Sequence, residues 1–385
     1  MYQSLMNFIK CHPLDWKESI QLKPFCIKVR ELGDFVLLKY DQLNSDMSHP
    51  ICQVCRGIIL ERISGFGWNI VCYPFDKFFN YGEPYAAEID WKTAKVREKI
   101  DGSLIKFWAD TRGNWHMSTN GSIDAFEATV SDSVEEYTFG DIVERALGCN
   151  WLSFCRELDK NYTYMFELVS PDTRVTVYYP YDGLYYLGQR HRGTMIEEYN
   201  YDPVWRNFGI CEPRVYHLRS LDDCISLVDE FTKDEEGVVV SDGNFNRIKV
   251  KSPEYLIAAH CANNGKLGLR TAIRLIRENK VDDFLAYAPM HRVKLGLIVD
   301  AYEDMIAELI ASFAEVKHLC WMSKKDFVEM LNFRDLTKLG YNYSLWKYEH
   351  RELRFKDYLD RMTEKSIMRY IKEKLKAAKE EFDDE

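Results

Sequence analysis

The sequence predicts an α+β fold, with antiparallel sheets from about residue 25 to 259 and an all-α region from 260 to 385. Two observations carry this. Up to residue 259, short apolar or alternating runs are broken by turn residues, the mark of half-buried strands. From 260 onward apolar residues recur at helical spacing and strand signals nearly vanish. A chain of 385 residues, 46% hydrophobic and 14% aromatic, has enough apolar material for two domains. The expected boundaries are 1–259 and 260–385.

In chain order, the runs FVLLKY, GIIL, KVREKI, LIKFWAD, NWHMSTN, YTYMFELVS, RVTVYY, LYYLG, GVVVSD and NRIKVKS read as strands. Turn chemistry separates several of them: DTRGN lies between two strands and DGNFN precedes NRIKVK. Helical stretches are expected around 123–149 and 219–231. Beyond 260 the segments VKLGLIVDAYEDMIAELIASFAEVKHLCWM, KKDFVEMLNF and RELRFKDYLDRMTEKSIMRYIKEKLKAAKEEF carry helical periodicity. No internal repeat and no low-complexity linker interrupts the chain.

The N-terminus has no basic stretch followed by an apolar run, so no signal peptide is expected. No window approaches the roughly 18 uncharged apolar residues of a membrane helix. The expectation is a soluble, cytoplasmic protein without membrane partners. Eleven scattered cysteines suit reduced thiols rather than a disulfide framework. His49, Cys52, Cys55 and Cys72 are ligand types for zinc. The two close cysteines precede a strand-like run and no second close pair follows, so buried thiols are the preferred reading. The net charge of −10 is uneven. Residues 260–379 carry 23 Lys and Arg against 17 Asp and Glu, before the acidic end EEFDDE. A mildly basic helical region is compatible with nucleic acid and equally with solvated helices.

The sharpest chemical segment is EKIDGSLIKFW. Lys99 ends one strand, Asp101-Gly102 makes a turn and LIKFW begins the next. Glycine there lets phosphate approach the backbone. A nucleophilic lysine must be neutral, which nearby positive charge or desolvation favours. Alone, KxDG reads better as a surface hairpin. IKVKS, however, places Lys249 and Lys251 on one face of a strand. Both could reach the same pocket, favour a neutral Lys99 and offset charge on a transferring phosphoryl group. Glu167 sits in the apolar run MFELV, and Glu236 precedes Gly237 and an apolar strand. A carboxylate in such a place needs a partner. The two could serve a metal ion and a ribose hydroxyl, or form structural ion pairs. Arg56 in CRGIIL and Lys77 in FDKFFN are further candidates.

The ordered set KIDGS, FE, EG and KVK resembles the covalent nucleotidyltransferases: ATP-dependent DNA and RNA ligases and GTP-dependent mRNA capping enzymes. With upstream CRGI and KFFN and the helical tail, the chain is similar to the RNA ligase 1 family of T-even bacteriophages. The resemblance is strong through residues 35–259 and weak in the helical region. It implies an adenylyltransferase domain over 1–259 and a helical domain concerned with RNA choice. Lys99 would be the adenylated nucleophile. Arg56 and Lys77 would contact the triphosphate, and Tyr40 and Phe79 would line the nucleotide pocket, with Asp101, Gly102 and Gly237 in the same pocket. Glu167 would take the ribose, Glu236 would act with the metal, and Lys249 and Lys251 would hold the phosphates. Asp282 in VDDF is similar to an acidic residue near the metal.

One departure stands out. The family often has a basic residue before the glycine of the strand after the nucleophile, and this chain has Asn120. Asparagine can hydrogen-bond a phosphate or ribose but carries no charge, which bears on the RNA-transfer step. The implied cofactors are ATP and Mg²⁺, with Mn²⁺ as a substitute. The implied partners are single-stranded RNA ends, the tRNA anticodon loop among them, met by a monomer. Two rivals remain. DNA ligases and capping enzymes carry a β-barrel after the KxK strand, where this chain turns helical. A silent RNA-binding protein would keep the pocket and lose the lysine or glutamates, all of which are present. Interleaved Tyr341, Tyr343, Trp346 and Tyr348 could stack on bases, but at this spacing they read better as helix-packing residues.

Overall fold

The computed structural model describes residues 2–63, 67–130, 137–173, 176–232, 234–252, 255, 267–277, 280–287, 289–334, 336–350 and 355–377. The chain separates into two compact units, Met1–Ala262 and Asn263–Glu385.

The first unit contains strands β1 (Ile27–Leu32), β2 (Phe35–Tyr40), β3 (Arg56–Arg62), β4 (Trp68–Cys72), β5 (Phe79–Asn80), β6 (Lys95–Glu98), β7 (Ser103–Ala109), β8 (Trp115–Thr119), β9 (Tyr162–Val169), β10 (Gly183–His191), β11 (Glu197–Glu198), β12 (Ile210–Cys211), β13 (Val215–Tyr216), β14 (Gly237–Ser241) and β15 (Arg247–Lys251). Its helices are α1 (Tyr2–Cys11), α2 (Trp16–Ile20), α3 (Pro50–Val54), α4 (Phe139–Leu147), α5 (Trp151–Phe154) and α6 (Leu221–Asp229).

Three sheets result, in orders β1-β2-β3-β4, β11-β10-β9-β7-β8 with β12 beside β10, and β13-β6-β14-β15-β5. All described pairings are antiparallel except β10–β12 and β15–β5. Alternation decides what each face buries. In β7, Ile105 and Phe107 join Ile142, Val143 and Phe154 of α4 and α5. On the opposite face Trp108 joins Phe35, Leu37, Ile59 and Val71 of the first sheet. The first sheet's other side packs on Leu5, Ile9, Trp16 and Ile20 of α1 and α2. Val238, Val240, Ile248 and Val250 of the third sheet pack on Cys224 and Val228 of α6.

The antiparallel α+β architecture is the one expected, and three local expectations change. The run RVTVYY forms no strand over 176–179, and its first two residues lie outside the described set. Instead the Thr176 and Val177 N–H groups both donate to the Asp101 carboxylate at 2.9 Å. Backbone donors taken by a side chain cannot serve a ladder. The helix expected around 123–149 shrinks to a 3₁₀ turn at Ala125–Glu127 and α4. A reciprocal capping box between Thr138 and Asp141 starts α4, and Gly148 at φ +65° ends it. The N-terminal helices α1 and α2 are additions.

The second unit is helical: Leu269–Arg277, Val281–Tyr287, Arg292–Val316, Lys324–Asn332, Lys338–Glu349, Phe355–Arg361 and Glu364–Ala377. The long expected C-terminal helix is broken at Met362–Thr363, where the Thr363 hydroxyl accepts from Ser366 N and caps a new start. The aromatic run packs within the unit. Tyr348 stacks on Phe327 at 4.3 Å and Tyr343 is 3% exposed. Among the described residues no helix is long and apolar enough to cross a membrane.

Candidate active site

Lys99 stands where the chain leaves the third sheet for the second. β6 and β7 do not pair with each other, so KIDG is a crossover between sheets, not a hairpin. The Lys99 N–H donates to Gly237 O at 2.9 Å, which ties the start of this passage to β14. Its ammonium donates to Glu236 Oε2 at 2.5 Å. Glu236 Oε1 lies 3.0 Å from Lys251 Nζ. The side chains are 13%, 0% and 3% exposed for Lys99, Glu236 and Lys251. One buried carboxylate therefore serves two lysines.

Two glycines make the close approach possible. A side chain at Gly102 would begin 2.3 Å from Leu168 O, so only glycine lets the passage lie against β9. Gly237 has φ +145°, and a Cβ there would meet Val250 O at 2.2 Å. The nearest atom crowding Gly102 thus belongs to the protein's own backbone, where the sequence had suggested phosphate. Asp101 is likewise an anchor. The residue is 2% exposed, and its carboxylate takes the Thr176 and Val177 N–H groups and, at 3.2 Å, the Tyr255 hydroxyl. Glu167, half-buried on β9, has its Cγ 3.0 Å from the point where a Gly102 side chain would start.

The β15 lysines share the face opposite the α6 core, as the spacing requires. Lys249 lies 5.2 Å from the Phe78 ring centroid, and Arg56 lies 5.2 Å from the same ring on β3's side. With Arg247 at 5.5 Å, Phe78 thus gathers three cations from two sheets. Lys77 donates to the Tyr40 hydroxyl at 3.3 Å and lies 5.6 Å from the Phe79 ring. Tyr40, Lys77 and Phe79 form one group, Lys99, Glu236 and Lys251 another, and Arg56 with Lys249 a third at Phe78. Asn120 follows β8, and its Oδ1 is buried with no hydrogen-bond partner among the described residues. Asp282 belongs to the second unit, on helix Val281–Tyr287.

Three residues escaped the sequence reading: Phe78, Tyr255 and Lys106. Lys106 carried a readable signal, since a single cation inside the apolar run LIKFWA is as costly as Glu167 in MFELV. The zinc-type residues are spread over other tasks. His49 caps α3 by accepting from Ile51 N, and Cys52, Cys55 and Cys72 are buried. Burial pushes the Cys52 thiol up to about 12. Among the described residues no group of three or more His, Cys, Asp or Glu side chains gathers as a metal cage.

The RNA ligase family profile matches residues 54–255, more than half of the chain. The chain belongs to the RNA ligase family. A protein of Autographa californica nuclear polyhedrosis virus, named as a bifunctional polynucleotide kinase/RNA ligase, is 34% identical over 299 residues, 72% of this chain. The chain spans 41% of that viral protein's length. The RNA ligase of Rhodothermus phage RM378 is 27% identical over 360 residues, covering 77% of this chain and 79% of its own. Among solved structures, an archaeal ATP-dependent RNA ligase aligns at 14% identity and a TM-score of 0.43, over 76% of this chain and 78% of that one. The match to the family model encloses Lys99, Glu167, Glu236, Lys249 and Lys251.

Proposed function

We propose that the protein is an ATP-dependent RNA ligase joining 5′-phosphate and 3′-hydroxyl ends of single-stranded RNA. The observation that carries this reading is Lys99 on the KIDG crossover, 2.5 Å from the buried Glu236 that it shares with Lys251. No surface hairpin lysine needs such a partner.

In the first step Lys99 Nζ attacks the α-phosphorus of ATP. An N–P bond forms, the bond to the β-phosphate oxygen breaks, and pyrophosphate leaves. The lysine must give up a proton, and Glu236 is within reach to accept it. Lys251 and Lys249 offset charge on the phosphoryl oxygens, and Arg56 and Lys77 take the outer phosphates. Glu167 takes the ribose. In the second step the 5′-phosphate of an RNA displaces Lys99 from AMP, and in the third a 3′-hydroxyl displaces AMP. The enzyme's share is positioning and charge compensation.

The residues fit Mg²⁺, or Mn²⁺ in its place, as an ion held mostly by phosphate oxygens and water with a carboxylate such as Glu236. When bound it neutralises charge on the phosphates. Asp282 is assigned to the metal by resemblance alone. The first unit is read as the adenylyltransferase and the second as the part that chooses RNA, tRNA anticodon loops among the candidates. The enzyme would act as a monomer in the cytoplasm, that of the host if the gene is a phage's.

Purified protein with Mg²⁺ and α-labelled ATP should become labelled, and the same experiment with GTP should not. Labelled protein should then circularise 5′-phosphorylated single-stranded RNA faster than the matching DNA. Labelling by GTP would move the protein to the capping branch. Binding of RNA with no labelling by either nucleotide would favour the silent RNA-binding reading.

A further inference from the structure

We propose that Glu197 is a positioning residue for nucleotide binding: by holding Arg247 it fixes the cations around Phe78, a role that rests on the ligase reading. Arg247 begins β15, two and four residues before Lys249 and Lys251, so the three share one strand face. Its guanidinium forks onto Glu197 of the second sheet, with Nη2 on Oε1 and Nη1 3.4 Å from Oε2. Glu197 Oε2 also accepts from Arg190 Nη2 at 3.3 Å, across the β10–β11 pair in which the two residues stand opposite. Arg190 Nη2 reaches Asp76 Oδ2 at 3.5 Å, and Asp76 Oδ1 accepts from the Tyr73 hydroxyl at 2.7 Å. Two carboxylates and two arginines thus form one chain of contacts, with side chains between 6% and 20% exposed. It runs from the third sheet through the second to the segment that leaves β4 of the first.

That segment carries pocket residues. Asp76 directly precedes Lys77, Phe78 and Phe79. Arg247 lies 4.4 Å from the Phe75 ring and 5.5 Å from Phe78, the ring that Arg56 and Lys249 also approach. Arg56, Lys77 and Lys249 therefore each stand one residue or one ring from the network. A buried ion network is weak evidence for stability, since apolar residues of similar volume often fold as well. What this one adds is a fixed arrangement of three sheets about the phosphate-binding cations. Charge matters too. Without Glu197, Arg247 would be a bare cation two residues from Lys249 and at the same ring, and like charges on one strand face repel. Lys99 and Lys251 meet Glu236, outside the network, so the chemistry that follows binding is spared.

Two readouts test this: Kd for α,β-methylene-ATP by calorimetry, and the self-labelling rate at saturating ATP. Glu197→Gln keeps the shape and loses the charge. Its Kd should rise roughly tenfold, within the range of couplings in one ion network, with the saturated labelling rate within about twofold of wild type. Glu197→Asp keeps the charge and should recover most of the affinity. The double variant Glu197→Leu/Arg247→Met replaces the pair by apolar side chains and leaves Arg190 with Asp76. It should melt no lower than Glu197→Gln, while its Kd stays raised. A merely structural network would let affinity follow stability, so wild-type affinity in the double variant overturns the proposal. An unchanged Kd in Glu197→Gln also overturns it, as does a Kd that Glu197→Asp leaves as high as Glu197→Gln. If Glu197→Gln does not fold, Arg247→Gln takes its place, since Glu197 then keeps Arg190. It should raise Kd in the same direction, and an unchanged value overturns the proposal. A wild-type protein that binds the analogue and does not label with ATP defeats the ligase reading alone, and Kd still tests the network. A wild-type protein that binds no analogue defeats both.

Discussion

Glu236→Ala should lose both labelling and fold stability, because it leaves Lys99 and Lys251 facing each other without their shared carboxylate. Breaking a buried pair by removing one partner costs about 3 to 5 kcal/mol, and here the lost carboxylate serves two lysines. Lys99→Ala should cost far less, since Glu236 keeps Lys251 at 3.0 Å and the Lys99 side chain is 13% exposed. Chemical denaturation at neutral pH measures both. Equal losses in the two variants, or a change below about 1 kcal/mol in Glu236→Ala, would show that the carboxylate is not the hub of this cluster. Glu236→Gln should fall between them, because the amide still accepts one hydrogen bond but neutralises nothing.

Gly237→Ala is expected to be the second severe variant. Its φ of +145° excludes an ordinary L-residue, and its Cβ would stand 2.2 Å from Val250 O and 2.7 Å from Lys251 Cα. Both obstacles are backbone, so β14 and β15 must part. Strain and overpacking together put the cost at about 2 to 4 kcal/mol. Labelling should drop with it, because the same displacement moves Lys251 away from Glu236. Gly33→Ala is the control. Gly33 also has positive φ, at +59°, but nothing lies within 4 Å of the added atom, so only the backbone term of about 1 kcal/mol remains. Similar stability losses at positions 33 and 237 would contradict the packing argument.

Periodicity and short apolar runs made most strands of the first unit legible: β15 alternates cationic and apolar residues, while β7 is an apolar run packed on both faces. The failures have local causes. RVTVYY has strand composition, but its amides go to Asp101, a partner 75 residues away that no local window contains. The helix expected over 123–149 counted apolar residues and passed over the Thr138–Asp141 capping box that sets its true start. As candidates, Lys99, Glu167, Glu236, Lys249 and Lys251 stood out because each breaks an apolar or turn pattern. Phe78 and Tyr255 were not, since an aromatic beside other aromatics breaks no pattern. Asp101 was a candidate from its motif, while its task of anchoring a loop needed the fold.

The central claim is that Lys99 becomes covalently adenylated. The direct measurement is mass spectrometry of protein incubated with ATP and Mg²⁺, followed by peptide mapping. The account predicts one AMP adduct, on the peptide carrying Lys99, removed by pyrophosphate and absent from Lys99→Ala. An adduct on another residue, or one that persists in Lys99→Ala, would contradict it.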